Sequence, residues 1–160
     1  AGQQRGTRVF DIYFEDIALG EREVFGSRAV SRDEIVRFAA EYDPQPFHLD
    51  EASARHTPLG GLCASGWHTG SMMMRMLVDH MAERRIAALG SPGLDYLCWL
   101  KPVRPGDTLC VATEVVEKRP SSRRRELGLL KLKITVANQH GEPVLELIAN
   151  TMVARRAAGE

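Results

Sequence analysis

The chain has 160 residues, enough for one domain, and 44% of them are hydrophobic, which is ample for a core. Its 21 basic and 21 acidic side chains cancel, so the basic excess expected of a nucleic-acid binder is missing. It also has no run of about 18 apolar residues to span a membrane.

Three cysteines, Cys63, Cys98 and Cys110, give an odd count with no CxxC pair. No disulfide framework is expected, and a reducing, cytoplasmic setting fits. Residues 1–11 are polar and contain no apolar run of signal-peptide length. We read residues 1–13 as a lead-in, 14–155 as a single domain and 156–160 as a tail.

Residues 21–30 are the first predicted strand. Ser31-Arg32-Asp33-Glu34 spells a capping box, in which the serine oxygen takes the Glu34 amide and Glu34 reaches back. Ile35, Phe38, Ala39 and Tyr42 then recur at helical spacing, so a short helix ends near Tyr42. Asp43 precedes Pro44, which pushes it out of the α region. Pro46 is expected to keep the chain extended up to His48. Residues 50–56 suit a short helix, and Thr57-Pro58-Leu59-Gly60-Gly61 is a loop.

Residues 65–89 form the longest predicted helix, with Ser65 as its N-cap. Met72, Met73, Met74, Met76, Leu77, Val78 and Met81 cover more than one face, which predicts burial on several sides. After Gly90 the pattern turns to strands at 95–100, 107–118, 127–138 and 143–155. Pro105-Gly106 and Gly141-Glu142 supply turns, and residues 119–125 a polar hairpin loop. Apolar alternation is read in Leu130, Leu132, Ile134 and Val136, and in Val144, Glu146, Ile148 and Asn150. This order predicts an α+β fold, with the long helix on the concave face of one curved antiparallel sheet. Such a sheet has free edges and an uncovered face, so a homodimer is expected.

The chemistry concentrates in Tyr42-Asp43-Pro44-Gln45-Pro46-Phe47-His48-Leu49-Asp50. A carboxylate and an imidazole on one proline-stiffened run can be placed around a single water. Cys63-Ala64-Ser65-Gly66-Trp67-His68 follows at the start of the long helix. Unpaired amides and positive potential lie at such a terminus. A glycine there admits a ligand close to the backbone, so the Gly66 amide is a candidate oxyanion donor.

These motifs resemble those of the MaoC-like dehydratases and (R)-specific enoyl-CoA hydratases of the hotdog fold. The family pattern is Asp-x-Asn-Pro-x-His, an Asp soon after, and a glycine opening the central helix. Asp43, Gln45, Pro46, His48, Asp50 and Gly66 match it in order. Lys101-Pro102-Val103-Arg104-Pro105-Gly106-Asp107-Thr108-Leu109 is similar to the hotdog strand connection. The resemblance implies a single hotdog domain and a carbon–oxygen lyase, a hydratase/dehydratase of fatty acid metabolism acting beside an acyl thioester. Asp43 and His48 would be the catalytic acid–base pair, their roles undivided, and Gly66 the oxyanion donor. Gln45, Pro46, Phe47, Ser65 and Trp67 would line the substrate site. The substrate would be an acyl-CoA, or the acyl carrier protein equivalent. No metal and no cofactor are implied beyond that coenzyme A. A homodimer, or a dimer or trimer of dimers, is implied, with no nucleic-acid or membrane partner. Two positions depart from the pattern: Gln45 replaces Asn, and Ser65 replaces the His common before the glycine.

Other features have plainer readings. The methionines suit ordinary core or the lining of an acyl tunnel. His56, Cys63 and His68 match no common zinc spacing. Ser121-Ser122-Arg123-Arg124-Arg125 reads as a solvated hairpin tip or a site for coenzyme A phosphates. Arg75, Arg84 and Arg85 are weaker phosphate candidates, and Trp67 and Trp99 read as packing residues. Rival functions are an acyl-CoA thioesterase and a non-catalytic acyl-CoA-binding hotdog subunit.

Overall fold

The computed structural model describes residues 9–157. The outermost parts of the expected lead-in and tail, 1–8 and 158–160, lie outside the described residues. The elements are β1 (Arg22–Ala29), α1 (Arg32–Tyr42), α2 (Pro46–Leu49), α3 (Glu51–Arg55), α4 (Gly66–Glu83), β2 (Gly93–Trp99), β3 (Thr108–Pro120), β4 (Leu127–Ala137) and β5 (Pro143–Ala154). All strand pairs are antiparallel, in one five-stranded sheet of order β1-β3-β4-β5-β2.

The core lies between this sheet and α4. Leu109, Val111, Ile134, Val136, Leu145 and Leu147 point inward from the strands and meet Met72, Met73, Met76 and Leu77 of the helix. The ladder keeps these faces in phase, with Val111 opposite Val136 and Ile134 opposite Leu147. A bulge between Phe25 and Arg28 lets β1 bend over the helix. Gly26 sits there at φ +80°, and a Cβ would come within 2.6 Å of Met76 Sδ. The expected layout, one antiparallel sheet around a central helix, is the observed one.

Several local expectations need correction. Residues 46–49 form a helical turn rather than an extended run, because Pro46 occupies the first helical position, where its fixed φ fits and no N–H is needed. The box at Ser31 is half closed: Ser31 Oγ accepts from the Glu34 amide at 3.1 Å, but the Glu34 carboxylate turns to Arg28. Helix α4 stops at Glu83, not Leu89. Beyond it Arg85 adopts φ 53°, and the chain runs on to bridge Ile12 and Val153 through Ile86 and Ala88. Nor is α4 buried on several sides, since Trp67, Met74 and Val78 are exposed. In β5 the inward set is Leu145, Leu147 and Ala149 rather than the even-numbered residues, although Val144 is buried as well.

The outer sheet face is charged, with Lys131 paired to Asp95 at 2.8 Å and Lys133 to Glu146 at 3.4 Å. Exposed apolar residues include Trp67, Met74 and Val78 on α4 and Leu94 on β2. Among the described residues, no helix is long and apolar enough to cross a membrane.

Candidate active site

Asp43 is the C-cap of α1, at φ −149° and ψ 67°, with its amide donating to Ala39 O at 2.9 Å. The helix therefore ends where Pro44 requires, and the carboxylate leaves the helix axis. The turn α2 then brings His48 back beside it. His48 is buried, and its Nε2 lies 3.4 Å from Asp43 Oδ2. Its Nδ1 lies 2.7 Å from the Cys63 carbonyl oxygen, an acceptor, so Nδ1 carries a proton. That leaves Nε2 facing the carboxylate as the nitrogen free to exchange protons.

The loop holding Cys63 is clamped. Arg104 Nη1 donates to Gly61 O at 2.7 Å, Arg104 Nη2 donates to Leu59 O, and Glu51 accepts from the Leu62 amide at 3.0 Å. Ala64 donates to Val103 O at 2.9 Å. The imidazole thus rests on a fixed backbone.

Asp43 receives two further hydrogen bonds. Ser65 Oγ donates to Oδ2 and Gln45 Nε2 to Oδ1, each at 2.7 Å. Partial burial pushes the Asp43 carboxyl up, but the Ser65 and Gln45 donors, with His48 beside them, outweigh it and hold it below the usual carboxylate value. Both residues that depart from the family pattern therefore bind the same carboxylate. Ser65 stands at the N-cap of α4 as expected, yet makes no capping hydrogen bond. Among the described residues, no protein group accepts from the Gly66 amide.

Asp43, His48 and Gly66 line one cavity of about 390 Å³, together with Phe47, Trp67 and Trp99. Gln45 and Ser65 act behind Asp43 rather than in the wall, and Pro46 starts α2. Sequence reasoning missed Lys101 and the role of Trp99. Lys101 lines the same cavity and pairs with Glu142. The Trp99 indole lies flat against Gly66, so that a Cβ there would sit 2.5 Å from Trp99 Cε2, and Trp99 Nε1 donates to Gly66 O at 2.9 Å. No local signal joins residues 33 positions apart in the chain.

Cys63 Sγ lies 3.8 Å from His48 Nδ1. Burial nevertheless pushes the Cys63 thiol up, with only partial opposition from Arg104, so it stays protonated. His68 lies elsewhere, stacked on Phe38 at 4.7 Å with Nε2 3.7 Å from Glu34. Among the described residues, no group of three or more His, Cys, Asp or Glu side chains is arranged to hold a metal. Arg75 pairs with Asp79, Arg84 with Glu23 and Arg124 with Glu126, and none of the three lines this cavity.

Comparison with known proteins bears on the family and the fold. Residues 18–137 match the model of the MaoC like domain. The MaoC-like dehydratase structure from Rhodospirillum rubrum superposes with a TM-score of 0.84 at 40% identity, over 92% of this chain and 99% of that one. The uncharacterized protein YdeM of Bacillus subtilis is 30% identical over 88% of this chain and 98% of its own length. The 3-hydroxybutyryl-CoA dehydratase of Methylorubrum extorquens is 33% identical over 73% of this chain and 72% of its own. By these matches the chain belongs to the MaoC-like domain family and has the hotdog fold.

Proposed function

We propose that this protein is an enoyl-CoA hydratase, working equally as a 3-hydroxyacyl-CoA dehydratase. The observation that carries the reading is the convergence of Asp43 Oδ2 and His48 Nε2, 3.4 Å apart, in the cavity that Gly66 also lines. The relative named 3-hydroxybutyryl-CoA dehydratase supports a thioester hydratase role.

In this reading one water bridges the ionised Asp43 and Nε2 of His48. The acyl thioester lies along the cavity with its carbonyl oxygen at the Gly66 amide. The pair takes a proton from the water as its oxygen bonds to C3. The C2–C3 π electrons move toward the thioester oxygen, where the amide and the helix terminus stabilise the developing charge. A proton from the same acid–base pair then completes C2, and dehydration is the reverse. Phe47, Trp67 and Trp99 line the cavity beside the acid–base pair. Coenzyme A is the expected carrier and part of the substrate.

The test is incubation with a trans-2-enoyl-CoA. Loss of the conjugated thioester absorbance without release of free thiol is expected. Thiol release at a matching rate would make the protein a thioesterase, and binding without any turnover would make it a non-catalytic subunit.

A further inference from the structure

His68 follows Trp67 in α4, but the two side chains leave the helix on different faces. Trp67 lines the catalytic cavity, whereas His68 lines another, also of about 390 Å³. The two cavities share no lining residue. A volume of this size is within the range of small-ligand sites, roughly 300–1,000 Å³. Its walls are one face of α1, with Glu34, Arg37 and Glu41, one face of α4, with His68 and Arg75, and Arg28 from β1. Residues three, four or seven apart share a helix face, which is why these line up.

Two groups in this cavity lack a protein partner. The His68 side chain is 4% exposed, and among the described residues its Nδ1 is buried without a hydrogen-bond partner. Such atoms are rare and point to a missing ligand or water. Stacking on Phe38, with the rings 11° from parallel, fixes the imidazole. Its Nε2 faces the Glu34 carboxylate at 3.7 Å, so Nε2 carries the proton and Nδ1 presents a lone pair. Burial pushes His68 below its ordinary pKa against the pull of Glu34, and Arg28 and Arg37 add to burial, so the ring is neutral. The other group is Arg37, exposed, with no ion pair or hydrogen bond from its guanidinium among the described residues. Both lining carboxylates are already engaged, Glu34 by Arg28 and Glu41 by the Tyr42 hydroxyl. Arg75 pairs with Asp79 at 3.0 Å. A neutral chain thus holds a local surplus of positive charge beside an unpaired lone pair.

We propose that this cavity binds a small phosphate-bearing ligand, separate from the acyl thioester, with Arg37 as its main cation and His68 Nδ1 as the acceptor for its remaining O–H. A guanidinium fork matches two phosphate oxygens, and Arg28 and Arg75 add charge on either side. The lone pair at Nδ1 decides between anions. A carboxylate is ionised at neutral pH and only accepts, so it leaves Nδ1 unpaired. A phosphate monoester, whose second ionisation falls at about pH 6, still carries an O–H that donates to Nδ1 while its other oxygens accept from the arginines. The site does not depend on the hydratase reading, since neither Asp43 nor His48 lines it.

The test titrates the full chain at pH 6 with inorganic phosphate and with sulfate, which has no O–H at that pH, and reads binding by calorimetry. Wild type is expected to bind phosphate at least tenfold more tightly than sulfate. Arg37→Ala, a change at an exposed position, is expected to weaken phosphate binding at least tenfold and to leave crotonyl-CoA turnover as in wild type. His68→Phe keeps a ring on Phe38 but removes Nδ1, and is expected to bind the two anions alike. No phosphate binding by wild type, equal affinity for both anions, or an Arg37→Ala variant that binds phosphate as wild type does overturns the proposal. Phosphate binding is then repeated with saturating butanoyl-CoA, which is expected to leave it unchanged. Displacement by butanoyl-CoA but not by its dephospho form, which lacks the 3′-phosphate, would assign the cavity to the substrate's own phosphate and overturn a separate ligand.

Discussion

Ser65 stands at the N-cap of α4, but its hydroxyl donates to Asp43 Oδ2 at 2.7 Å instead of closing the helix. A missing cap hydrogen bond costs a helix about 1 kcal/mol. Here the group that would make it is fully buried and holds a carboxylate in place. Local stability is given up in favour of the orientation of one acid.

Ser65→Ala tests that relationship. Without this donor the Asp43 carboxyl is held less far below its ordinary value, so it takes up a proton at higher pH. Activity that needs the carboxylate is then lost sooner as pH falls. The acid limb of the kcat/KM profile is expected to move to higher pH, and the neutral rate to fall by about tenfold. An unmoved acid limb would assign Ser65 a purely structural role.

Gly66→Ala places a methyl group 2.5 Å from the Trp99 ring. The indole has to shift and give up its bond to Gly66 O. We expect a loss of about 1–3 kcal/mol in denaturant titration. Combining it with Trp99→Ala should relieve the clash, so the double variant is predicted to be less destabilised than the two single effects summed.

The exposed apolar residues Trp67, Met74 and Val78 fall on one face of α4, beside Leu94 on the β2 edge. A patch of this kind suits a second copy of the chain, whereas the charged outer sheet face does not. Size-exclusion with light scattering should give twice the monomer mass or more. Val78→Glu should shift the protein toward monomer, and a wild-type monomer would contradict the assembly argument.

Much of the fold was legible in local chemistry. The serine before α1, the Asp43-Pro44 break and the alternation in β4 each act within a few residues. The misreadings have tertiary causes. Residues 84–89 are good helix formers, but pairing with Ile12 and Val153 draws them out of α4. In β5 Val144 and Leu145 are both buried, which hides the true phase of the alternation. Within the site, Asp43, His48 and Gly66 stand out as candidates from the proline-stiffened run, the helix start and the family resemblance. The roles of Ser65 and Gln45 were visible only as departures from a family pattern, and the contact of Trp99 with Gly66 depends on the sheet and the helix being packed together.

The central claim is that Asp43 and His48 act on one water as a unit, and a double-variant cycle tests it most directly. Crotonyl-CoA hydration is measured for wild type, Asp43→Asn, His48→Ala and the combined variant. Each single change should lower kcat by about a hundredfold or more with the fold retained, and the combined variant should be little worse than either. Losses that multiply in the combined variant, or single variants that match wild type, would contradict the shared water.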